Sequence, residues 1–363
     1  MHSSTWRSSL RAICLGALIG LALSAAAPTR ADSQFQDPLD CAAQTRHSLD
    51  RRPLLAIARA GASLVAVGSR GMIIRSEDEG KSWIQSAVPV QSDLLAVHFP
   101  TPTDGWAVGH NGVILHSSDG GRSWAKQFDG RVAAEVFRNF YAARGTEAAA
   151  KATAQLEQNF KAGPALPWLD VWFEDAERGF VVGSFGMIAA TVDGGKTWEP
   201  WLERIDDDRS LNLNGIRGVG RNLYVAGERG MVFKLDRKSQ RFKGIATGYT
   251  GSFFGIVGTS ESLLAFGLRG VLYRSGDGGT TWAPLKVPVE ATVTAGTVSG
   301  SGAFVLVNSA GQLLLGDRKG GSFTVIQPAA PMRYTGVLLA SQGTVVVTGL
   351  SGIRTESISG RAN

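Results

Sequence analysis

Cysteine is nearly absent: 363 residues contain only Cys14 and Cys41. No apolar run reaches the roughly 20 residues that span a bilayer as a helix; the stretch 12–27 has 16. There is no P-loop, no H-E-x-x-H and no H-x-x-x-H, so nucleotide and metal chemistry lack their usual signatures. His98, His110 and His116 cluster without ligand spacing, and neither a metal nor a cofactor is expected. The acidic run Asp206–Asp208, between Arg204 and Arg209, reads as a solvated, self-paired loop rather than a cation site. Glycine is plentiful at 46 residues but has no G-X-Y period, which excludes collagen and points to many turns.

Arg7 and Arg11 precede the apolar run, and small residues follow it up to Ala31. Residues 1–31 therefore read as a secretory signal peptide. Cys14 lacks the small residues that precede a lipidated cysteine, so no lipoprotein is expected. Cleavage removes three arginines and no acid, lowering the formal charge from +6 to +3. A mildly basic exported chain with one remaining cysteine, Cys41, has no intramolecular disulfide and implies no nucleic-acid surface. It must stand on a large core of its own.

What is present is a repeat. "SEDEGKSW" (76–83), "SSDGGRSW" (117–124), "TVDGGKTW" (191–198) and "SGDGGTTW" (275–282) share Asp, Gly, Ser/Thr and Trp at fixed places. Degenerate copies end at Phe242 and Phe323. A second motif, as in "VAVGSRGMIIRS", places its last glycine at 71, 112, 186, 230, 270, 311 and 352. The steps are 41, 74, 44, 40, 41 and 41: seven copies of a unit near 40 residues, with one insertion. Several short apolar runs per unit mean four strands, and the fold class is all-β, a seven-bladed β-propeller with a helical insertion between blades 2 and 3. The propeller spans 51–358 and the insertion about 129–163, where apolar residues at steps of three and four predict a helical hairpin. Its apolar stripe, which includes Val132, Val136, Phe137, Phe140 and Tyr141, fits a cap on the ring or a docking element.

The third inner-strand position reads Ala56, Ala96, Asp170, Gly215, Gly255, Ala295 and Gly336, small but for Asp170, which is expected to face a wet central channel. Repeat seven ends without a boxed fourth strand, and the N-terminal segment 32–50 is expected to close the ring by supplying it.

Between two strands, the box is turn chemistry. Asp78, Asp119, Asp193 and Asp277 accept from backbone N–H groups, and Trp83, Trp124, Trp198 and Trp282 anchor the next strand. A catalytic carboxylate is needed once, not in every repeat. The S-x-D-x-G-x-[ST]-W pattern resembles the Asp-box, or BNR repeat, of sialidases and related propellers. Joined to the G-x-x-G turns, it more narrowly resembles the photosystem II stability and assembly factor family, which has relatives in non-photosynthetic bacteria. The likeness covers nearly all of 50–358; the larger insertion and the degraded boxes of blades 4, 6 and 7 depart from it.

That resemblance implies a non-enzymatic, monomeric, periplasmic or lumenal protein. Its partner would be a membrane protein or membrane complex: a photosystem II subunit in a phototroph, an exporter or other envelope complex otherwise. It also implies an arginine patch on one face. The third positions of the G-x-x-G turns are Arg70, Asn111, Phe185, Arg229, Arg269, Ala310 and Ser351. The patch maps to Arg229 and Arg269, with Arg70 and Arg217 as further members. The competing class is a sialidase-like glycoside hydrolase or lectin. It requires an arginine triad and a Tyr–Glu pair, usually announced by an F-R-I-P-like stretch, which this sequence lacks.

Overall fold

The computed structural model describes residues 36–358 apart from Gln342. The expected signal peptide, with Cys14, lies outside these residues. Seven antiparallel sheets follow one another along the chain, six of four strands and the last of three. Within each, strands lie side by side in chain order. Each inner strand packs on the inner strand of the next blade, and that of blade 7 on that of blade 1. The chain is a seven-bladed β-propeller.

The inner strands run Leu54–Ala60, Leu94–His98, Trp168–Phe173, Leu213–Val219, Phe253–Gly258, Val293–Val298 and Tyr334–Ser341. Each carries a β-bulge directly before the position that is Ala or Gly in six blades and Asp170 in blade 3, so that Leu55, Leu95, Leu169, Asn214, Phe254, Thr294 and Thr335 have no partner in register. A bulge bends its strand and sharpens the twist, which brings the small residue against its neighbour. A Cβ on Gly215 would lie 2.9 Å from the Phe254 carbonyl and 3.2 Å from Gly255 Cα. Three bulge residues staple one blade to the next: Asn214 Nδ2 donates to Phe253 O (2.8 Å), Thr294 Oγ1 to Tyr334 O (2.9 Å) and Thr335 Oγ1 to Leu54 O (2.7 Å).

The last of these crosses the seam between blades 7 and 1. Arg59 joins it there, donating to the carbonyls of Leu339 and Ala340, both at 2.8 Å, while it pairs with Glu79 at 3.1 Å. The fourth strand expected from 32–50 does not form in the part that is described, 36–50, and blade 7 ends at Gly352–Ser357 among the described residues. Residues 36–53 are instead an irregular strap with two short 3-10 turns, Pro38–Asp40 and Leu49–Arg51. Pro38, the left-handed Ser48 (φ 53°) and Pro53 make a continuous strand impossible there. The strap passes blade 2 (Lys126 Nζ to Leu39 O, 2.9 Å) and blade 1 (Ala43 N to Val88 O, 2.9 Å), and Leu49 then packs near Ile353 of blade 7. It bridges the seam without extending the sheet.

The insertion forms α1 (Gly130–Ala142) and α2 (Glu147–Asn159). Asp129 caps α1, accepting from Arg131 N (2.9 Å) and Val132 N (3.3 Å), and Thr146 caps α2. Ala133, Phe137, Tyr141, Ala152 and Leu156 share one buried cluster with Trp168 and Met187, so the hairpin is a cap on blades 2 and 3. Val132 and Val136, read as part of the apolar stripe, face solvent at 43% and 38% exposure.

Thr335→Val removes the hydroxyl that staples the seam and leaves the Leu54 carbonyl without that donor. A loss of about 1–2 kcal/mol is expected, read as a melting temperature lower by a few degrees with an unchanged circular dichroism spectrum.

Candidate functional site

The two motifs stand at opposite ends of each blade. Strand two leads into the G-x-x-G turn, and strand three returns to the box. All boxes therefore share one face and all G-x-x-G turns the other.

On the box face the box carboxylates are saturated by their own turns. Asp119 Oδ1 accepts from Arg122 N (2.9 Å), Ser123 N (3.0 Å) and Ser117 Oγ (2.8 Å), and Oδ2 accepts from Ser123 Oγ (2.6 Å). Asp78, Asp193 and Asp277 repeat the arrangement. Burial works to raise the Asp119 pKa, but the bonds from Ser123, Ser117 and Arg122 outweigh it and hold it at about 2. The degenerate boxes keep the same device: Ser239 Oγ donates to Asp236 Oδ2 (2.6 Å) and Ser322 Oγ to Asp317 Oδ2 (2.8 Å). Trp124 and Trp198 are buried, and the indoles of Trp124 and Trp282 donate to the carbonyls of Gly121 (3.3 Å) and Gly279 (3.1 Å). A carboxylate so saturated is a turn pin and a poor acid, base or nucleophile.

On the opposite face the turns display what they carry. Arg70, Asn111, Phe185, Arg229 and Arg269 all adopt the left-handed conformation, with φ between 52° and 60°. For arginine and phenylalanine this costs about 1 kcal/mol or more each. Neighbouring residues hold the strained turns: Asp93 Oδ1 accepts from Arg70 N (2.7 Å) and Asn212 Oδ1 from Phe185 N (2.8 Å). The side chains of Arg70, Arg229 and Arg269 are exposed, and their guanidinium groups bond to no described residue. Phe185 (51% exposed) and Leu268 (38%) flank the pair on blades 4 and 5. Tyr249 lies close enough to Arg269 to feel its charge. Apolar neighbours beside the cations were not singled out from the sequence, although Phe185 occupies the same turn position as the arginines.

Arg217, grouped with these arginines from the sequence, does not join them. It stands two residues after Gly215, on the same side of the strand, and points into the central channel. There His98, Trp172 and Arg217 of blades 2, 3 and 4 form a stack, with His98–Trp172 centroids 4.0 Å apart and the guanidinium 5.1 Å from the indole. Asp170 also lines the channel, but its carboxylate bonds to backbone, accepting from Ile216 N (2.8 Å) and Val171 N (2.9 Å). Burial raises its pKa, opposed by Arg217. Burial, aided by Arg217, lowers the His98 pKa to about 3, and the neutral ring accepts from Phe173 N at Nδ1 (3.1 Å).

Two Tyr–Glu pairs form that no sequence spacing reveals, Tyr141–Glu203 and Tyr334–Glu356. Both tyrosines are 1% exposed, and burial followed by the adjacent glutamate raises their pKa. Tyr141 ties α1 to the loop after blade 3 by accepting from Leu202 N (3.0 Å). Both hydroxyls are engaged within the fold by their glutamates. No group of three or more potential metal ligands forms among the described residues.

Fold and site together define an Asp-box β-propeller whose boxes are structural and whose opposite face presents unpaired arginines on strained turns. The family model described as "Photosynthesis system II assembly factor YCF48" matches residues 75–142 and 149–326. The chain belongs to that family. A stretch of 154 residues is 32% identical to the photosystem II assembly lipoprotein Ycf48 of Synechococcus sp. (strain CC9902), covering 39% of this chain and 44% of that protein. Another of 168 residues is 30% identical to the protein of the same name from Prochlorococcus marinus (strain MIT 9313), covering 43% and 46%. The matches thus span less than half the length of these curated relatives. Among solved structures, YCF48 bound to D1 peptide superposes with a TM-score of 0.61 at 16% identity, covering 90% of this chain and 98% of that one. The WD40 β-propeller domain of Doa1 gives 0.60 at 12%, covering 88% and 95%. At these identities the superpositions establish the fold.

Asp119→Ala strips four hydrogen bonds from one turn and is expected to cost about 1–2 kcal/mol, measured by denaturant unfolding. The pH dependence should show His98 first. Its folded pKa lies below the ordinary 6.5, so the unfolded chain binds more protons and stability falls as pH drops from 6.5 toward 3. The box carboxylates lose their contribution only further down, from about pH 4. A melting temperature that declines between pH 7 and 5, with a shallower slope in His98→Gln, is the expected result.

Proposed function

We propose that this chain is an exported, non-enzymatic assembly factor that holds a segment of a membrane-protein client against its G-x-x-G face. In a phototroph the client would be a photosystem II subunit; otherwise it would be an exporter or another envelope complex. The observation that carries this reading is the pair Arg229 and Arg269, unpaired, exposed and held on left-handed turns of neighbouring blades. Strain kept at five turns and balanced by next-blade contacts argues for display. Guanidinium groups without an internal partner can grip carboxylates bidentately. Phe185 and Leu268 supply the apolar contact that converts such a grip into a docking strip. Arg70 extends the face to blade 1; Arg217, in the channel, has no part in it. The relatives' names, and the solved relative's D1 peptide, support a client of this kind.

The double variant Arg229→Glu, Arg269→Glu should reduce client capture from native membranes at least about tenfold, the equivalent of one charge-assisted bond. Its melting curve should stay that of the wild type, since neither guanidinium bonds within the ring. Capture unchanged by the double variant overturns the site.

A further inference from the structure

In six blades a large aromatic residue leads into the fourth strand: Trp83, Trp124, Trp198, Phe242, Trp282 and Phe323. The ring drops between its own blade and the one before. Trp124 sits edge-on to Phe99, centroids 5.8 Å apart, in a cluster with Val65 of blade 1. Trp198 sits edge-on to Phe173 at 6.0 Å, in a cluster with Trp106 of blade 2. The corresponding residues for blade 7 are Leu339 on its inner strand and Val305 on blade 6. Between them, where each other blade has its ring, lies an open and largely apolar cavity of about 490 Å³, also lined by Ala303, Phe304 and Ile358.

Among the described residues no strand pairs with the sheet edge beside it. Gly349 pairs with Gly352 across a two-residue turn, so Gly352, Arg354 and Glu356 bond to the preceding strand, and Ile353, Thr355 and Ser357 turn their N–H and C=O outward. Ile358 N donates to Gly343 O, in the same phase. None of these outward groups bonds to a described residue. A groove of about 580 Å³ continues past Ile353–Thr355 between the strap and box 1, lined by Arg46, Lys81 and Trp83. The Arg46 guanidinium and the Lys81 ammonium have no ion partner among the described residues.

We infer that this vacant fourth-strand slot binds an extended segment of a partner protein that carries an aromatic residue followed by an acidic strand. The ring enters the cavity between blades 6 and 7. The segment then runs antiparallel to Gly352–Ser357, completing its outward hydrogen bonds by strand addition. Its acidic side chains meet Arg46 and Lys81. The occupant's chemistry follows from the six blades in which the same place is filled from within the chain, and from the unpaired cations along its path. The slot is independent of the rim arginines, which lie at the other end of the blades.

The test uses the full chain and a fluorescein-labelled peptide, SSDGGRSWEVEV, the blade 2 box followed by an acidic strand, read by fluorescence anisotropy. Saturable binding is expected, at least about tenfold weaker when the peptide's Trp becomes Ala, since a buried large side chain is worth that much. Ala303→Trp, which fills the cavity from its rim, and Thr355→Pro, which removes an outward N–H without touching the inner ladder, should each weaken binding by a similar factor at unchanged melting temperature. Arg229→Glu, Arg269→Glu should leave it unchanged. Absence of saturable binding, equal affinity of the Trp→Ala peptide, or indifference to both slot variants overturns the inference. A self-association abolished by Ala303→Trp assigns the slot to a second copy. Binding gained only on truncation after Ile358 assigns it to the chain's own terminus. Either result also overturns it.

Discussion

Seven strands drawn to one axis leave room for little more than a methyl group where they approach most closely, and the rest of the ring follows from meeting that limit. Six of the seven inner strands meet it with a small residue behind a bulge, so that neighbouring backbones can pass at the separation that Gly215 and Gly255 show. The bulge leaves one residue per blade free of the ladder, and in three blades a short polar side chain there becomes the bond to the next blade. Asp170 is tolerated because its neighbour in blade 4 is a glycine and because the Ile216 N–H satisfies its carboxylate. Two residues further along, larger groups fit, and the His98–Trp172–Arg217 stack uses that space.

The two repeated motifs solve opposite problems at the two ends of each blade. A box turn must end strand three and aim an aromatic residue between blades, so its carboxylate is saturated by its own loop. A G-x-x-G turn is gripped by the following blade through its backbone, which leaves Arg70, Arg229 and Arg269 at the third position without a side-chain bond inside the fold, whereas Asn111 accepts from Ser92 Oγ (3.1 Å). Saturation at one end and display at the other are consequences of where the hydrogen bonds go, and they direct the search for function away from the motif that repeats most visibly.

The repeat spacing carries the blade count because a hairpin ladder of four short strands has a nearly fixed length, and the small inner-strand residues mark the axis for the same steric reason. Four features escape such reading. Arg217 belongs to the same blade as the rim residue Arg229, but its two-residue step from Gly215 sets it on the channel side. The strap was expected as a strand, but Pro38, Pro53 and a left-handed Ser48 forbid it. In α1 the spacing of apolar residues was right, yet Ala133 and Ala134 turn inward and Val132 and Val136 outward. Small residues let a helix approach the ring closely, and hydropathy alone does not distinguish that face. The pairs Tyr141–Glu203 and Tyr334–Glu356 join residues with no sequence relation that could have announced them.

An incomplete blade is a liability in a ring, because a free edge invites any extended chain. Here the edge is short, six residues, and carries Arg354 and Glu356, while the strap closes over its Gly352 end, where a Cβ would meet the Asp50 carbonyl at 1.9 Å. Closure does not depend on that edge: Thr335, Arg59 and the strap already join blades 7 and 1 through the inner strand and the rim. The seam is thus held at its centre and by the strap, and among the described residues no strand pairs with the outer edge of blade 7. With stability supplied elsewhere, the outer edge of blade 7 is the place where this propeller can add a strand without rearranging any other.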